Sequence, residues 1–259
     1  MLTLIIFLYG LIVGSFLNAW VWRIRTDRRI SRGRSMCPHC KHQLAWYDLL
    51  PVVSWLLLRA RCRYCRHSIS AQYPLVELLN GLLWVGVSIV IAPIDIVSGA
   101  QFVLTAIIFS LMLAALVYDL QTMLLPVVFT LSSIVFALLL MALNVYSGVP
   151  FSQLGNQLIA GGIFAGFFLL LWLVSRGAWI GDGDISLALL MGLVLSPSQV
   201  LIAAFFGFNL GAIVSVVLLV LKKKTRKDSI AFGPFLITGL YIGYFFGDVL
   251  TNWYLRLFF

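Results

Sequence analysis

Apolar runs long enough to cross a bilayer recur along the whole chain, interrupted by one extended polar segment. They fall at 2–22, 74–93, 98–118, 127–146, 157–175, 184–196, 199–221 and 230–250. A membrane helix needs about 20 mostly apolar residues to cover roughly 30 Å of hydrocarbon. The pattern therefore predicts an all-α polytopic membrane protein with about eight transmembrane helices. The run at 184–196 is short for a full crossing, which leaves a seven-span count open. Composition agrees, because 62% of the 259 residues are hydrophobic, only 10% are charged, and the mean hydropathy is +1.04. A water-soluble domain could not hide that much apolar surface.

The order of apolar and basic residues predicts orientation. Met1 to Trp22 has no basic segment before it and no small-residue cleavage pattern, so it is expected to be a retained first helix rather than a removed signal. Its basic residues follow the apolar run, which sends the N-terminus outward. With alternating spans, the loops at 23–73, 119–126, 176–183 and 222–229 share one side and hold 17 of the 18 Lys and Arg residues. Cytoplasmic loops carry such an excess. The net charge of +9 is then explained by topology and anionic lipid headgroups, with no nucleic-acid partner.

The loop 23–73 is too large to be a mere connection. It carries Arg23, Arg25, Arg28, Arg29, Arg32 and Arg34, then Cys37-Pro-His-Cys40 and Cys62-Arg-Tyr-Cys65, which include every cysteine of the chain. Two such pairs separated by 21 residues suit a tetrahedral zinc site with four thiolate ligands. A disulfide framework is the alternative, and the cytoplasmic placement disfavours it because thiols stay reduced there. Fifty residues with few core-forming side chains need such a staple, so the zinc is expected to be structural. His39, His42 and His67 read as solvated loop residues. The apolar run Leu49 to Leu58, with Trp46 and Trp55, is either the small core of this module or an interfacial helix. The division expected is thus 1–22 as the first helix, 23–73 as the zinc module and 74–259 as a membrane-embedded core.

Ionisable groups beside a bilayer are costly, so each is a functional candidate. Asp119 closes the third span in Tyr118-Asp119-Leu-Gln-Thr122-Met-Leu-Leu-Pro126, and Pro126 is placed to begin the next helix. Asp184 opens the sixth span in Gly181-Asp182-Gly183-Asp184-Ile-Ser186, where the glycines permit a turn before a helix. Neither has a Ser-His or Cys-His pair near it. Two carboxylates that meet in a dry setting point to aspartyl-type acid/base catalysis, because close like charges cannot both ionise. Either aspartate alone reads more readily as a hydrated helix cap than as a functional group.

Four motifs occur together and in order: Gly14-Ser15-Phe16-Leu17-Asn18 followed by Arg23, the double Cys-x-x-Cys, Tyr73-Pro74-Leu75-Val76-Glu77, and Gly181-Asp182-Gly183-Asp184. With Asp119, Leu124-Leu125-Pro126 and Phe232-Gly233-Pro234-Phe235, the chain closely resembles the bacterial type IV prepilin peptidases over almost its full length. The resemblance implies an intramembrane aspartyl endopeptidase of the bacterial inner membrane. It would remove the short basic leader of type IV prepilins or secretion pseudopilins, and methylate the new N-terminal residue from S-adenosylmethionine. It implies Asp119 and Asp184 as the catalytic pair, with Asp182 a neighbour that tunes them. Cys37, Cys40, Cys62 and Cys65 match members that carry the zinc module. Ser186 stands where a Lys is common, and Val127 where an acid often follows the Leu-Pro.

A helix N-terminus favours an anion, which makes Asp184 the expected base and Asp119 the acid of a dyad that shares its proton. No glycine-rich nucleotide turn is present, so the methyltransferase expectation rests on the resemblance, with Glu77 and residues near the zinc module as contributors. Two other classes compete. A transporter would use the acids to bind a proton or cation, although they lie near one face and no inverted repeat is evident. An assembly scaffold would dock partners on the zinc module and leave the aspartates inert.

Overall fold

The computed structural model describes residues 1–30, 33–225 and 230–258. The basic Arg32, Arg226 and Lys227 counted in the one-sided charge lie outside the described residues. The described chain is helical, with α1 at Leu2–Arg25, a 3-10 turn at Trp46–Leu49, α2 at Val53–Leu57, α3 at Gln72–Val90, and α4 at Ile96–Thr122. Next come α5 at Val127–Tyr146, α6 at Phe151–Ser175, α7 at Asp182–Val194, α8 at Pro197–Val220 and α9 at Gly233–Phe258. Seven of these are long and apolar enough to cross a membrane. The eighth apolar helix, α7, has 13 residues and so spans only about 20 Å. The expectation of an all-α polytopic protein holds, with seven helices among the described residues long enough to cross instead of eight, the run at 184–196 forming a helix too short to do so.

Helix boundaries follow local chemistry. Helix α5 begins directly after Pro126, whose fixed backbone suits a helix start. Helix α6 begins six residues before its apolar run, because Pro150 sets the start while Gln153, Gly155, Asn156 and Gln157 dilute the hydropathy of its first turns. Ser196 caps α8 with Pro197 at its first position, and Asp95 caps α4 through Ser98.

The chain forms two compact units, 1–93 and 94–259. In the first, α1 and α3 pack side by side, with the loop module between them in sequence. In the second, α4 is the central helix and packs on α5 and α9. Its most apolar window is 67% buried, whereas that of α6 is 17% buried. Helix α7 contacts α5, α6, α8 and α9, and buries Leu187, Ala188, Leu190, Met191 and Leu193. A short helix enclosed by its neighbours can carry a polar end at the depth where it stops. Large exposed side chains such as Leu131, Leu139, Ile163, Leu170, Leu201 and Val216 form the outer faces that lipid covers.

Candidate functional site

The second unit brings both predicted aspartates into one buried setting. Asp119 lies in the last turn of α4 and is 3% exposed, and Asp184 lies in the first turn of α7 and is 6% exposed. The two carboxylates are near enough to repel each other, and Asp182 adds a smaller repulsion on Asp184. The Gly181 N–H donates to the Asp184 carboxylate, and the Asp184 N–H donates back to the Gly181 carbonyl at 3.2 Å. Asp182 instead accepts the Gly183 N–H at 3.0 Å and stays at the exposed rim. Ser186 turns its hydroxyl to the Gly183 carbonyl at 2.8 Å, closing the first turn of α7.

Three separate chain segments converge on the pair. Met123 takes a left-handed conformation after α4, φ 57° and ψ 31°, and donates its N–H to the Asp119 carbonyl at 2.8 Å. That turn sends Leu124-Leu125-Pro126 across the end of the helix. The Leu125 side chain lies where a Cβ on Gly183 would come within 2.7 Å of its own Cβ. A Cβ on Gly233 would come within 2.9 Å of Leu125 Cδ1 and collide with Asp119 Oδ2. Glycine at these places lets the start of α7 pack on Leu125, and the start of α9 on Leu125 and Asp119, without displacing them. Gly233 was legible as part of Phe232-Gly233-Pro234-Phe235, but its contact with an aspartate 114 positions earlier was not.

The first unit brings the four cysteines together, with their sulfurs all within 4.8 Å of one another. Cys37 and Cys62 are buried, Cys65 is half-buried and Cys40 is exposed. Two matching backbone loops hold them. Residues 36 and 43 bridge across the first loop, and 61 and 68 bridge across the second, a shift of 25 in each case. The Cys37 N–H donates to the His42 carbonyl at 2.9 Å, and the Cys62 N–H to the His67 carbonyl at 2.8 Å. Lys41 and Arg66, one place after each second cysteine, both have φ 60°. The aromatic contacts obey the same symmetry: His39 stacks on His67 at 4.1 Å, and Tyr64 packs on His42 at 3.7 Å. The histidines are thus exposed residues that join the two loops. A hydrogen bond from the His67 backbone pulls the Cys65 thiol down, but desolvation and the crowding thiols of Cys62, Cys40 and Cys37 push it up to about 11. Four thiols this close cannot all ionise unaided, and a bound cation is the natural remedy.

The run Leu49 to Leu58 divides between the two roles considered for it. Trp55 turns inward and donates its indole N–H to the Ile69 carbonyl at 3.1 Å, while Leu56 and Leu57 are exposed. The two N-terminal motifs meet at Glu77, which is 7% exposed. Helix α1 brings Gly14 against the Glu77 Cα, the Ser15 hydroxyl bonds the Glu77 carboxylate, and the Val52 N–H donates to it at 2.7 Å. Asn18 donates to the Tyr73 carbonyl at 3.0 Å. Ser15 and Asn18 stand within a motif quoted from the sequence, yet only the packing of α1 on α3 shows what they touch.

Comparison with known proteins identifies the family. Residues 8–91 match the family described as Bacterial Peptidase A24 N-terminal domain, and residues 106–216 match the Type IV leader peptidase family. A prepilin leader peptidase/N-methyltransferase of Aeromonas hydrophila is 34% identical, covering 98% of this chain and 94% of its own. The protein of the same name from Bacillus subtilis (strain 168) is 29% identical and covers 98% of each chain. That of Burkholderia pseudomallei (strain 1026b) is 34% identical, covering 96% of this chain and 85% of its own. No solved structure matches the chain. With buried aspartates at the ends of α4 and α7 and relatives that align from end to end, the chain belongs to the type IV leader peptidase family.

Proposed function

We propose that this protein is an intramembrane aspartyl endopeptidase that removes the basic leader of type IV prepilins or secretion pseudopilins, and then N-methylates the new N-terminal residue. The observation that carries the reading is the buried, mutually repelling pair Asp119 and Asp184, in a chain of this family. The membrane-embedded protease core lies within 74–259. Nothing among the described residues or the relatives favours the transporter.

Burial and the nearby Asp119 carboxylate oppose an anion at Asp184, and the partial positive charge of the α7 N-terminus and the Gly181 N–H are the features that can hold one there. It takes a proton from a water molecule as the water oxygen adds to the scissile carbonyl. Asp119, at the opposite kind of helix end, keeps its proton and donates it to that carbonyl oxygen. As the C–N bond breaks, the proton gathered by Asp184 passes to the leaving amine and a hydroxyl of the tetrahedral diol returns its proton to Asp119 as the carbonyl re-forms, so the dyad ends with the single proton it began with. The apolar helix of the substrate docks laterally between spans, with its leader at the cytoplasmic face. The one-sided basic loops support placing the thiol module and the carboxylates on that side of the inner membrane.

Cys37, Cys40, Cys62 and Cys65 would hold a structural zinc. Four sulfurs each about 2.3 Å from a central ion lie about 3.8 Å apart, and Cys37 and Cys65 are 4.0 Å apart here. S-adenosylmethionine, the methyl donor, supplies an activated methyl group.

The test is incubation of the purified full chain in detergent with a full-length prepilin, reading leader loss on a gel and the product N-terminus by mass spectrometry. Wild type should shorten the substrate and add one methyl group. Asp119→Asn and Asp184→Asn should each block shortening while remaining inserted. Full processing by either variant overturns the aspartyl reading.

A further inference from the structure

A cavity of about 720 Å³ lies wholly within the first unit, between the loop module and the facing sides of α1 and α3. That is within the roughly 300–1,000 Å³ of small-molecule sites. Its walls carry Asn18, Asp48, Trp55, Tyr73, Glu77 and Ser15.

Two buried carboxylates face this space and are answered differently. The Asp48 side chain is 3% exposed and is met by the Arg63 guanidinium at 2.8 Å, the Tyr64 hydroxyl at 3.1 Å and the Ala45 N–H at 3.3 Å. Glu77 is met by the Val52 N–H and the Ser15 hydroxyl, both neutral. A buried carboxylate held only by neutral donors is costly until a cation joins it. Val52 adopts φ 60°, a conformation that β-branched residues rarely accept, and in doing so it gives its N–H to Glu77. Opposite, Asn18 is 4% exposed, its amide nitrogen is fastened to Tyr73, and its Oδ1 has no partner. A buried acceptor left open beside a cavity calls for a ligand donor. Trp55 and Tyr73 add flat aromatic surface.

A ligand that satisfies these walls carries positive charge, hydrogen-bond donors and a planar ring. S-adenosylmethionine has a sulfonium and an ammonium, ribose hydroxyls and an adenine. We propose that this cavity binds S-adenosylmethionine beside the new N-terminal amine of the cleaved substrate, with Asn18 accepting a ligand hydrogen bond and Glu77 accepting the amine proton. The proposal rests on the methyltransferase reading above and adds its location and residues. The amine arrives as an ammonium. Glu77 takes one proton and releases it to water, and the freed nitrogen pair forms the N–C bond to the methyl group. The C–S bond breaks with its electron pair going to sulfur, which leaves a neutral thioether and a methylated ammonium.

Equilibrium titration of the purified full chain with S-adenosylhomocysteine tests the site without turnover. Wild type should bind one equivalent. Glu77→Gln and Asn18→Leu should each weaken binding at least tenfold, with the metal content of the thiol module unchanged. Ultraviolet crosslinking of methyl-tritiated S-adenosylmethionine to wild type needs no variant, and its label should fall on Trp55 or Tyr73. Wild-type binding in both variants, or label confined to residues after 93, overturns the proposal. If the wild-type product is still methylated in that case, the methyltransferase reading survives and only the location falls. If wild type neither binds the probe nor methylates its product, the reading falls and the site with it.

Discussion

The two units place polar clusters in opposite ways. In the loop module of the first unit, Cys37 and Cys62 are the only described residues between 33 and 71 that are buried as whole residues, although the Asp48 side chain is also covered. No apolar core surrounds them, so two local backbone loops and the thiols themselves must carry the structure. In the second unit, Asp119 and Asp184 are held by long helices, and their setting depends on Leu125, Gly183 and Gly233 packed from distant segments. A ligand set can be organised locally and finished by an ion. A carboxylate pair needs a rigid surrounding that keeps like charges together against their repulsion. The first cluster should therefore be sensitive to metal removal, and the second to small steric changes.

The largest effect is expected from the pair itself. Asp119→Asn and Asp184→Asn should each lower leader cleavage by about a thousandfold or more, the scale of lost acid/base catalysis. The same changes should leave metal content and the protease resistance of the loop module unaltered. An intact second unit with a disordered first unit in either variant would break the separation between them.

The converse comes from the thiols. Cys62→Ser, or prolonged exposure to a strong chelator, should open the module, because loss of a structural zinc removes most of the stability of a small domain without a core. Limited proteolysis should then cut between 35 and 70 while the helices from 96 onward remain protected. Unchanged resistance after complete metal loss would mean that the apolar contacts of Trp55 and its neighbours suffice.

Next comes Gly233→Ala. The added methyl collides with Asp119 Oδ2 and crowds Leu125, so the carboxylate must move. A displacement near 1 Å at a catalytic group costs about a hundredfold. Cleavage should fall by that amount with normal expression and metal content, and equal rates would show that α9 can yield without disturbing Asp119.

Much of this contrast was legible in the sequence, and the part that was not has a physical cause. Span 127–146 matches α5 end to end because Pro126 and the apolar run mark the same start. Helix α9 continues to Phe258 past its apolar run, since Asn252, Trp253 and Arg256 suit an interfacial end that hydropathy undercounts. The cysteines declared themselves by spacing, since their grouping is local. The 25-residue symmetry of their loops is partly visible as Cys37-x-x-Cys40-x-His42 against Cys62-x-x-Cys65-x-His67, while the backbone bridges and ring contacts that complete it are not. Asp119 and Asp184 were legible as rare acids at span ends. What encloses them, and what brings Ser15 and Asn18 to Glu77 and Tyr73, is long-range packing with no periodic signature.

The smallest effect separates a working aspartate from a capping one at the two ends of a single helix. Asp95 begins α4, which Asp119 ends. Asp95 is exposed and accepts the Ser98 N–H at 2.8 Å and the Ser98 hydroxyl at 3.0 Å. Hydrogen bonds from the Ser98 backbone and hydroxyl hold its carboxyl below the usual aspartate range. A carboxyl lowered on folding stabilises the fold above its unfolded value of about 3.9, and that contribution is lost as pH falls through the folded value. Asp95→Ala should therefore lower the Tm modestly at neutral pH, and the gap from wild type should close as pH drops below about 4. Cleavage at neutral pH should not change, because this carboxylate has found its partners within its own helix turn. A gap that persists undiminished at pH 3 would mean that the ionised carboxylate is not what caps α4, and the distinction between the two ends would have to rest on burial alone.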